Sequence, residues 1–223
     1  MTKQVEVKHN IQKHIIGILL HQKIARFRDM RPPRADSNLY SYHLTQIIQS
    51  GFVKKVDGGY TLDTTGLIYV DRLDAESLFV RQQPKIITMF VIQNSNGDIL
   101  LQRRRKQPFI DTWTLPGGKI HNDDKTVLVA AEREVLEKLG VTGQTMSHAG
   151  DCYVRIYQNK SLMTVTLAHI FAFNCDDIKT NDDTQWMRPH KLARYDVAPA
   201  VEQIVTRTFF RDPFYFEEFE ENW

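Results

Sequence analysis

Two glutamates three residues apart, Glu134 and Glu137, are the side chains of this sequence best suited to metal chemistry. They lie in a stretch where Val127, Ala131 and Val135 recur every four positions, which predicts an amphipathic helix. Carboxylates at positions i and i+3 share a helix face. Hard divalent cations such as Mg²⁺ prefer oxygen ligands of this kind, commonly together with substrate phosphates. The spacing therefore predicts a Mg²⁺ or Mn²⁺ site that neutralises a diphosphate and activates water for attack on phosphorus.

A glycine pair and an acidic turn precede this predicted helix and would position its glutamates. Gly117 and Gly118 predict a turn in which the backbone can approach a ligand closely. Asp123 or Asp124 is predicted to cap the helix by accepting hydrogen bonds from its unpaired N–H groups. Two further apolar residues would widen the buried face of the helix, namely Leu128 and Leu139. We therefore expect a turn followed by a helix that packs on a sheet.

Strand-like runs on both sides of an Asn-Gly turn at 96–97 predict part of that sheet. They cover residues 86–92 and 98–102, and later runs at 153–157 and 165–173 predict further strands. The basic sequence Arg-Arg-Arg-Lys at 103–106 ends the second run, and alternate residues of a strand face opposite sides. One or two of these cations could therefore reach substrate phosphates, and Arg104 is the predicted contact.

These segments resemble the Nudix family. The family motif is G-x5-E-x7-R-E-U-x-E-E-x-G-U, where U is aliphatic. The sequence follows it closely over residues 85–141, with WTLPGGKI at 113–120 and REVLEKLGV at 133–141. The resemblance implies a Nudix α/β/α sandwich with a mixed sheet at residues 84–223. It also implies a metal-dependent hydrolase of a nucleoside diphosphate linked to another group.

The resemblance assigns roles to individual residues as well. Arg133 would orient a glutamate and would form the catalytic set with Glu134 and Glu137. The implied metal ligands are Glu134, Glu137, the Gly118 carbonyl and Asp124, which stands at the first acidic position of the motif. The predicted substrate-binding residues are Arg104 and Lys119.

Two positions depart from the family motif. Eight residues rather than seven separate Asp124 from Arg133, and the extra residue is expected in the loop at 121–125, where insertions cost little. Lys138 stands where the family usually has a glutamate that binds the metal directly. It lies four residues from Glu134, and a cation at that spacing can pair with a carboxylate on the helix surface. An active enzyme would then need another oxygen ligand, for which the sequence offers Asp124, Asp182 and Asp183.

Helical periodicity predominates before residue 77. Residues 11–20 predict one helix, and residues 37–50 predict a second with Ser37 as its cap and four inward residues, Leu39, Leu44, Ile47 and Ile48. Gly51 stands where a helix end favours a left-handed residue. Residues 52–62 then predict a hairpin around Gly58-Gly59. A last helix from Thr64 or Thr65 would carry Leu67, Ile68, Val70 and Leu73.

This order of elements resembles the winged helix-turn-helix family over residues 11–74 and predicts such a domain at 1–80. By that resemblance the recognition helix would expose Tyr40, Ser41, Tyr42 and His43, with Lys54 and Lys55 near the wing. Residues 1–80 hold eleven Lys or Arg against eight Asp or Glu, and this net charge of +3 permits phosphate contacts. Duplex DNA is therefore a predicted partner. A winged helix used only for packing or dimerisation is the alternative.

Composition sets the broad class of the chain. Its 223 residues, 42% of them hydrophobic and 25% charged, are typical of a globular protein rather than a disordered one. The helices and strands predicted above, with the two resemblances, imply an α+β fold class. No run is apolar enough for a signal peptide or a membrane span, so we expect a cytoplasmic protein without a membrane partner. The two cysteines form no CxxC pair and are expected to be free and buried.

Two functions follow from these patterns. The leading prediction is a Nudix hydrolase that uses Mg²⁺ or Mn²⁺. The alternative is a transcriptional regulator whose degenerate Nudix domain senses a nucleotide or sugar nucleotide, and Lys138 favours it. A pure interaction module is a third interpretation, and a homodimer is compatible with all three.

Overall fold

The computed structural model describes residues 7–74, 76–80, 82–209 and 214–223. The chain divides into two compact units, Met1–Gln82 and Gln83–Trp223. None of the helices in the described ranges is both long and apolar enough to cross a membrane.

The first unit has the element order that a winged helix requires. Its elements are α1 (Asn10–His21), α2 (Ser37–Gln49), β1 (Val53–Val56), β2 (Gly59–Leu62) and α3 (Thr64–Val70). β1 and β2 pair antiparallel as the predicted hairpin. A bridge between Ala25 and Tyr60 attaches the α1–α2 connection to this hairpin.

The buried face of α2 differs from the predicted one. Tyr40 is fully buried and lies in phase with Leu44 and Ile47 at helical spacing, whereas Leu39 is 45% exposed. The Tyr40 hydroxyl donates to the Phe27 carbonyl at 2.8 Å, so its polar end is satisfied inside the core. The helix cap is also one residue earlier than predicted, because Asp36 rather than Ser37 accepts from the first-turn N–H groups.

The hairpin and the last helix of the first unit also depart in detail from the prediction. Val56 pairs with Gly59, so the turn consists of Asp57 and Gly58. Gly59 has a φ of +156°, and a Cβ there would lie 2.4 Å from the Ala25 carbonyl oxygen, so this close approach requires glycine. In α3, two of the apolar residues that the predicted helix carries, Leu67 and Ile68, are exposed.

The second unit contains one large mixed sheet between helices. Its strands are β3 (Lys85–Gln93), β4 (Ile99–Arg103), β5 (Trp113–Thr114), β6 (Gly117–Lys119), β7 (Ser147–Gln158), β8 (Ser161–Asn174), β9 (Thr184–Met187) and β10 (Tyr215–Asn222). Its helices are α4 (Val127–Leu139), a 3₁₀ helix (Pro189–Arg194) and α5 (Val201–Phe209). Over the described residues the strand order is β10-β7-β8-β3-β4-β5, with β6 beside β3 and β9 beside β4. The β3–β8 and β7–β10 pairs are parallel and the others antiparallel.

The two faces of this sheet carry separate cores, which confirms the predicted α/β/α sandwich. On β3, Phe90 and Ile92 pack in the cluster that contains Ala131 and Val135 of α4. Val91 packs in the cluster on the other face, which contains three residues of α5, namely Val201, Ile204 and Val205. Successive residues of β3 therefore serve opposite layers. Both cysteines, Cys152 and Cys175, are free and buried, as predicted.

The start of α4 is built differently from the prediction. Thr126 is the N-cap, and its hydroxyl accepts from the Val129 N–H at 3.1 Å, so neither Asp123 nor Asp124 caps the helix. The predicted buried residue Leu128 is 45% exposed, because the packed stripe runs through the positions of Ala131 and Val135. Because Thr126 caps the helix, the Asp124 carboxylate can bind another partner.

Candidate active site

Glu134 lies against Gly118, and this contact joins α4 to β6. Glu134 is only 4% exposed, as its position on the sheet-facing side of α4 requires. A Cβ at residue 118 would lie 1.9 Å from Glu134 Oε2 and 2.0 Å from its carboxyl carbon. A side chain there would displace the Glu134 carboxylate, so Gly118 serves to admit this carboxylate rather than to make a free turn.

Arg133 joins the groups around this carboxylate. Its Nη1 donates to Glu134 Oε1 at 2.8 Å, and its Nη2 donates to the Lys119 carbonyl at 3.1 Å. Its Nε and Nη2 donate to the two oxygens of Asp124 at 2.9 and 2.7 Å, which is a bidentate pair. The neighbouring carboxylates of Asp124 and, next, Glu134 raise the pKa of the Arg133 guanidinium. The charged arginine therefore fixes the direction of Glu134.

Asp124 occupies a different place from the one predicted. Both of its oxygens are engaged by Arg133, and one of them also accepts from the His121 N–H at 2.7 Å. These hydrogen bonds, that of Arg133 first, hold its pKa at about 2. Asp124 as a metal ligand stays a prediction, and in this structure both of its oxygens contact Arg133. Although the loop before α4 contains the extra residue, it still places Asp124 in contact with Arg133.

The remaining carboxylate oxygens fit a hard cation. Glu134 Oε2 is buried and has no hydrogen-bond partner among the described residues. Glu137 lies one helical turn further on, is 54% exposed, and contacts Arg133 only at 3.5 Å. An orphaned buried carboxylate oxygen is costly unless a cation or a donor completes it. The donor set is thus two carboxylates beside a glycine backbone, which suits Mg²⁺ or Mn²⁺.

A group of cations surrounds the start of β3. Burial and then the positive charges of Lys119 and Arg104 lower the pKa of Lys85. The Lys85 ammonium donates to Thr164 Oγ1 at 2.9 Å, and Arg104 Nε donates to the Pro108 carbonyl at 2.8 Å. The structure therefore brings together Arg104 and Lys119, which were predicted as substrate contacts, and adds Lys85. The sequence alone did not single out Lys85, which stands isolated at the beginning of an apolar run.

Lys119 and Gly118 are successive residues of β6, so they address different faces of the sheet. Gly118 is in register with Thr88, on the side of α4, and Lys119 is in register with Ile87, on the other side. The cation group and the carboxylates therefore approach the same short strand from its two faces.

The NUDIX domain family model matches residues 83–208, which is more than half of the chain and contains all of these groups. The chain belongs to the Nudix family. Among solved structures, a MutT protein from Bacillus halodurans shares the fold with a TM-score of 0.50 at 16% identity, over 61% of this chain and 89% of that one. The Nudix domain of Shewanella oneidensis NrtR, solved with ADP ribose, gives a TM-score of 0.49 at 16% identity, over 63% and 94%. NrtR solved with a 27mer DNA gives 0.47 at 16% identity, over 55% and 59%.

Lys138 is the main departure from the Nudix motif, and its environment differs from the predicted one. It is exposed, and in the described parts of the chain it forms no ion pair. The expected pair with Glu134 is absent from these residues because Arg133 already occupies Glu134 Oε1. An unpaired ammonium thus lies on the helix beside the Nudix carboxylates.

The acids that could compensate for Lys138 are placed elsewhere. Asp183 forms an ion pair with Arg105, and this pairing raises the pKa of the Arg105 guanidinium. Asp182 is exposed in the turn before β9. The Nudix carboxylates that the structure brings together with Gly118 and Arg133 are therefore Glu134, Glu137 and Asp124.

The residues predicted to read DNA separate into two groups. Tyr40 and His43 are buried in the first unit, so the prediction that they face solvent is wrong. The helical phase set by Leu44 and Ile47 turns both inward, and His43 stacks on His9 with ring centroids 3.7 Å apart. The others remain at least partly accessible, namely Ser41, Tyr42, Lys54 and Lys55, although Lys54 pairs with Asp63 at 3.1 Å.

Replacing Asp124 with Asn should remove a pH-dependent part of the stability of the Nudix unit. The pKa of Asp124 is about 2 in the folded state against an ordinary value of 3.8. Its ionised form therefore favours folding above about pH 4, and this contribution is lost as the pH falls towards about 2. The unfolding free energies of wild type and Asp124→Asn should differ most near neutral pH and converge in acid.

Tryptophan fluorescence is the measurement for this prediction, because all three tryptophans, Trp113, Trp186 and Trp223, belong to the second unit. Asp123→Asn is the matched control, since Asp123 is exposed and neither caps α4 nor pairs with Arg133. A difference for Asp124→Asn that stays constant from neutral pH into acid would count against the ion pair.

Proposed function

We propose that the second unit is a Mg²⁺- or Mn²⁺-dependent hydrolase that acts on a nucleoside diphosphate linked to another group. The observation that carries the proposal is the buried Oε2 of Glu134, which has no partner in the described ranges and is held against Gly118 while Arg133 occupies the other oxygen. Glu134, Glu137 and the Gly118 carbonyl would hold the cation. When bound, the cation neutralises diphosphate charge and activates water.

The chain's own residues divide the remaining work. Arg133 keeps Glu134 in one orientation, and Asp124 is a positioning residue that keeps Arg133 in place through its bidentate contact. Fixing both charges in advance lowers the reorganisation needed when substrate arrives. Lys85, Arg104 and Lys119 add positive charge on the other face of β6, and this field favours the approach of a polyanionic substrate to the strand.

Replacing Glu134 with Gln should abolish turnover. The change keeps the shape of the side chain but removes the anionic oxygen that faces Gly118. Loss of a direct ligand should reduce kcat/KM by at least about 100-fold, because even the loss of an outer-shell partner typically costs about 10–100-fold. The assay is cleavage of nucleoside diphosphate derivatives with Mg²⁺ or Mn²⁺.

Glu132→Gln is the control for this assay, because Glu132 is an exposed glutamate on the same helix. It should keep wild-type activity. If Glu134→Gln and wild type cleave at the same rate, the proposed site is refuted.

A second candidate function is a regulator that binds the same class of nucleotide and cleaves it very slowly. The observation that favours it is the exposed, unpaired Lys138 on the described surface of α4, where an ammonium opposes a cation held by Glu134 and Glu137. In that case the nucleotide would act as a signal, and the first unit would carry the response.

Replacing Lys138 with Glu decides between these two functions. In a sensor, the wild type should bind the nucleotide without appreciable turnover. The variant should then gain about tenfold or more in Mg²⁺ affinity, since a like charge is removed and a carboxylate added. In a competent hydrolase, the wild type should already be fast.

Lys179→Glu makes the same change of charge at another exposed lysine and should leave Mg²⁺ affinity unchanged. Calorimetric Mg²⁺ titration and the hydrolysis assay together give the answer. A fast wild type would eliminate the sensor-only function, and a wild type that neither binds nor cleaves any nucleotide would eliminate both.

For the first unit we propose duplex DNA as the partner of a basic surface around the hairpin. Lys55 is exposed and lies in register with Tyr60, which is bridged to Ala25 in the α1–α2 connection. That connection exposes five cations that were not among the predicted DNA contacts, namely Lys23, Arg26, Arg28, Arg31 and Arg34. The hairpin and the connection together present the positive charge that phosphate contacts need.

Replacing Lys55 with Ala should weaken duplex binding across sequences and reduce the magnitude of the salt slope by about 1, as expected for one lost phosphate contact. Gel shifts of genomic fragments over a salt series provide the measurement, with Lys179→Ala in the second unit as the control. Wild-type affinity that is absent, or insensitive to salt, would favour a packing role for this unit.

A further inference from the structure

Two histidines and an aspartate converge outside the carboxylate site of α4. His148 Nε2 lies 2.8 Å from Asp151 Oδ1, and His169 Nδ1 lies 2.7 Å from the same oxygen. One ligand atom from each of the three residues lies within 4.8 Å of the others. Among the described residues, no Lys or Arg pairs with Asp151, and the two imidazoles contact its Oδ1.

A break in the β7–β8 ladder creates this convergence. Residues three apart on a regular strand point to opposite faces, so His148 and Asp151 should diverge. The register shifts between His148 and Gly150, which leaves Ala149 as an extra residue in β7. This bulge turns His148 to the side of Asp151. His148 then pairs with Phe171 and stacks on its ring, with centroids 4.9 Å apart and an interplanar angle of 16°.

The surroundings hold these side chains in place yet leave them open to solvent. The side chains of His169 and Asp151 are 17% and 22% exposed, and that of His148 is 37% exposed. The Phe214 ring packs edge-on against His148, with the ring centroids 5.3 Å apart. The imidazole planes are therefore restrained by packing, whereas the convergent nitrogens and carboxylate remain reachable from solution. Restrained ligands with an accessible position are what an ion from solution needs in order to bind.

The geometry points to a binding site for a divalent transition-metal ion of the zinc type at His148, Asp151 and His169. Two imidazole nitrogens and one carboxylate are a ligand set that Zn²⁺ accepts, with a fourth position left for water or another ligand. Neutral imidazoles suit such an ion better than they suit Mg²⁺, which takes oxygen ligands. The site is thus chemically distinct from the one at Glu134 and Glu137.

The position of this cluster relates it to the carboxylate site. Gly118, Thr88, His169 and Asp151 are in register across β6, β3, β8 and β7, and residues in register share a face of the sheet. Two strand spacings, about 10 Å, separate the backbone of His169 from that of Gly118. The proposed ion would therefore lie on the α4 face, in the same row as the glycine that contacts Glu134.

Zinc affinity of the full-length, metal-stripped protein tests the site. Zn²⁺ is titrated against a chromophoric chelator in the presence of excess Mg²⁺, which occupies oxygen-only sites. Asp151→Asn and His169→Gln should each weaken Zn²⁺ binding by at least about 100-fold, because a direct ligand contributes more than the outer-shell partners whose loss costs about 10–100-fold. Co²⁺ should give visible absorption bands in the wild type that both variants lose.

His190→Gln is the matched control, since His190 is exposed in the 3₁₀ helix and lies outside the cluster. It should bind Zn²⁺ like the wild type. Tryptophan fluorescence checks that each variant is folded, and if either buried substitution unfolds the unit, the more exposed His148→Gln decides. A wild type without Zn²⁺ affinity, or folded cluster variants with unchanged affinity, would overturn the proposal. Hydrolysis is read separately with Mg²⁺, so neither result depends on the other.

Discussion

The guanidinium of Arg133 contacts a loop carboxylate, a strand carbonyl and a helix carboxylate at once, and the carboxylate site depends on this arrangement. Its bidentate contact with Asp124 fixes the loop before α4, and its contact with the Lys119 carbonyl fixes β6. The third contact leaves Glu134 with one satisfied oxygen and one free oxygen. Planar, multidentate geometry of this kind is a property of arginine that lysine cannot reproduce. The proposed cation site thus depends on the Arg133–Asp124 ion pair, although neither of these two residues is among its proposed ligands.

Much of this arrangement could be predicted, because sequence patterns report local geometry well. The i, i+3 glutamates, the glycine pair and the four-residue apolar repeat gave α4 and its contact with the sheet. The sequence could not show that both oxygens of Asp124 contact Arg133, because the residue type is the same whether an aspartate binds a metal or pairs with an arginine. Lys85 was not predicted for a related reason. The cations that act on it, Lys119 and Arg104, are distant in sequence and come near it only after folding.

The first unit shows where periodicity misleads. An amphipathic pattern fixes the spacing of buried residues but not the phase, and in α2 the bulky aromatic Tyr40 takes the core position instead of Leu39. The Tyr40 hydroxyl donates to the Phe27 carbonyl, so this tyrosine packs in the core instead of facing solvent as predicted. The bulge at Ala149 is a second example, because one extra residue reverses which side of β7 a histidine occupies. Neither outcome can be read from local composition.

Because β3 packs against both layers of the second unit, the register of this strand determines which side chains enter each core. Its even residues Thr88 and Phe90 face α4, and its odd residues Ile87 and Val91 face α5. A slip of one residue against β6 or β8 would exchange these two sets between the layers. A slip against β6 would also separate Gly118 from Thr88 and would remove the space that admits Glu134. A ligand that requires this row would bind only the correctly paired sheet and would stabilise it by mass action.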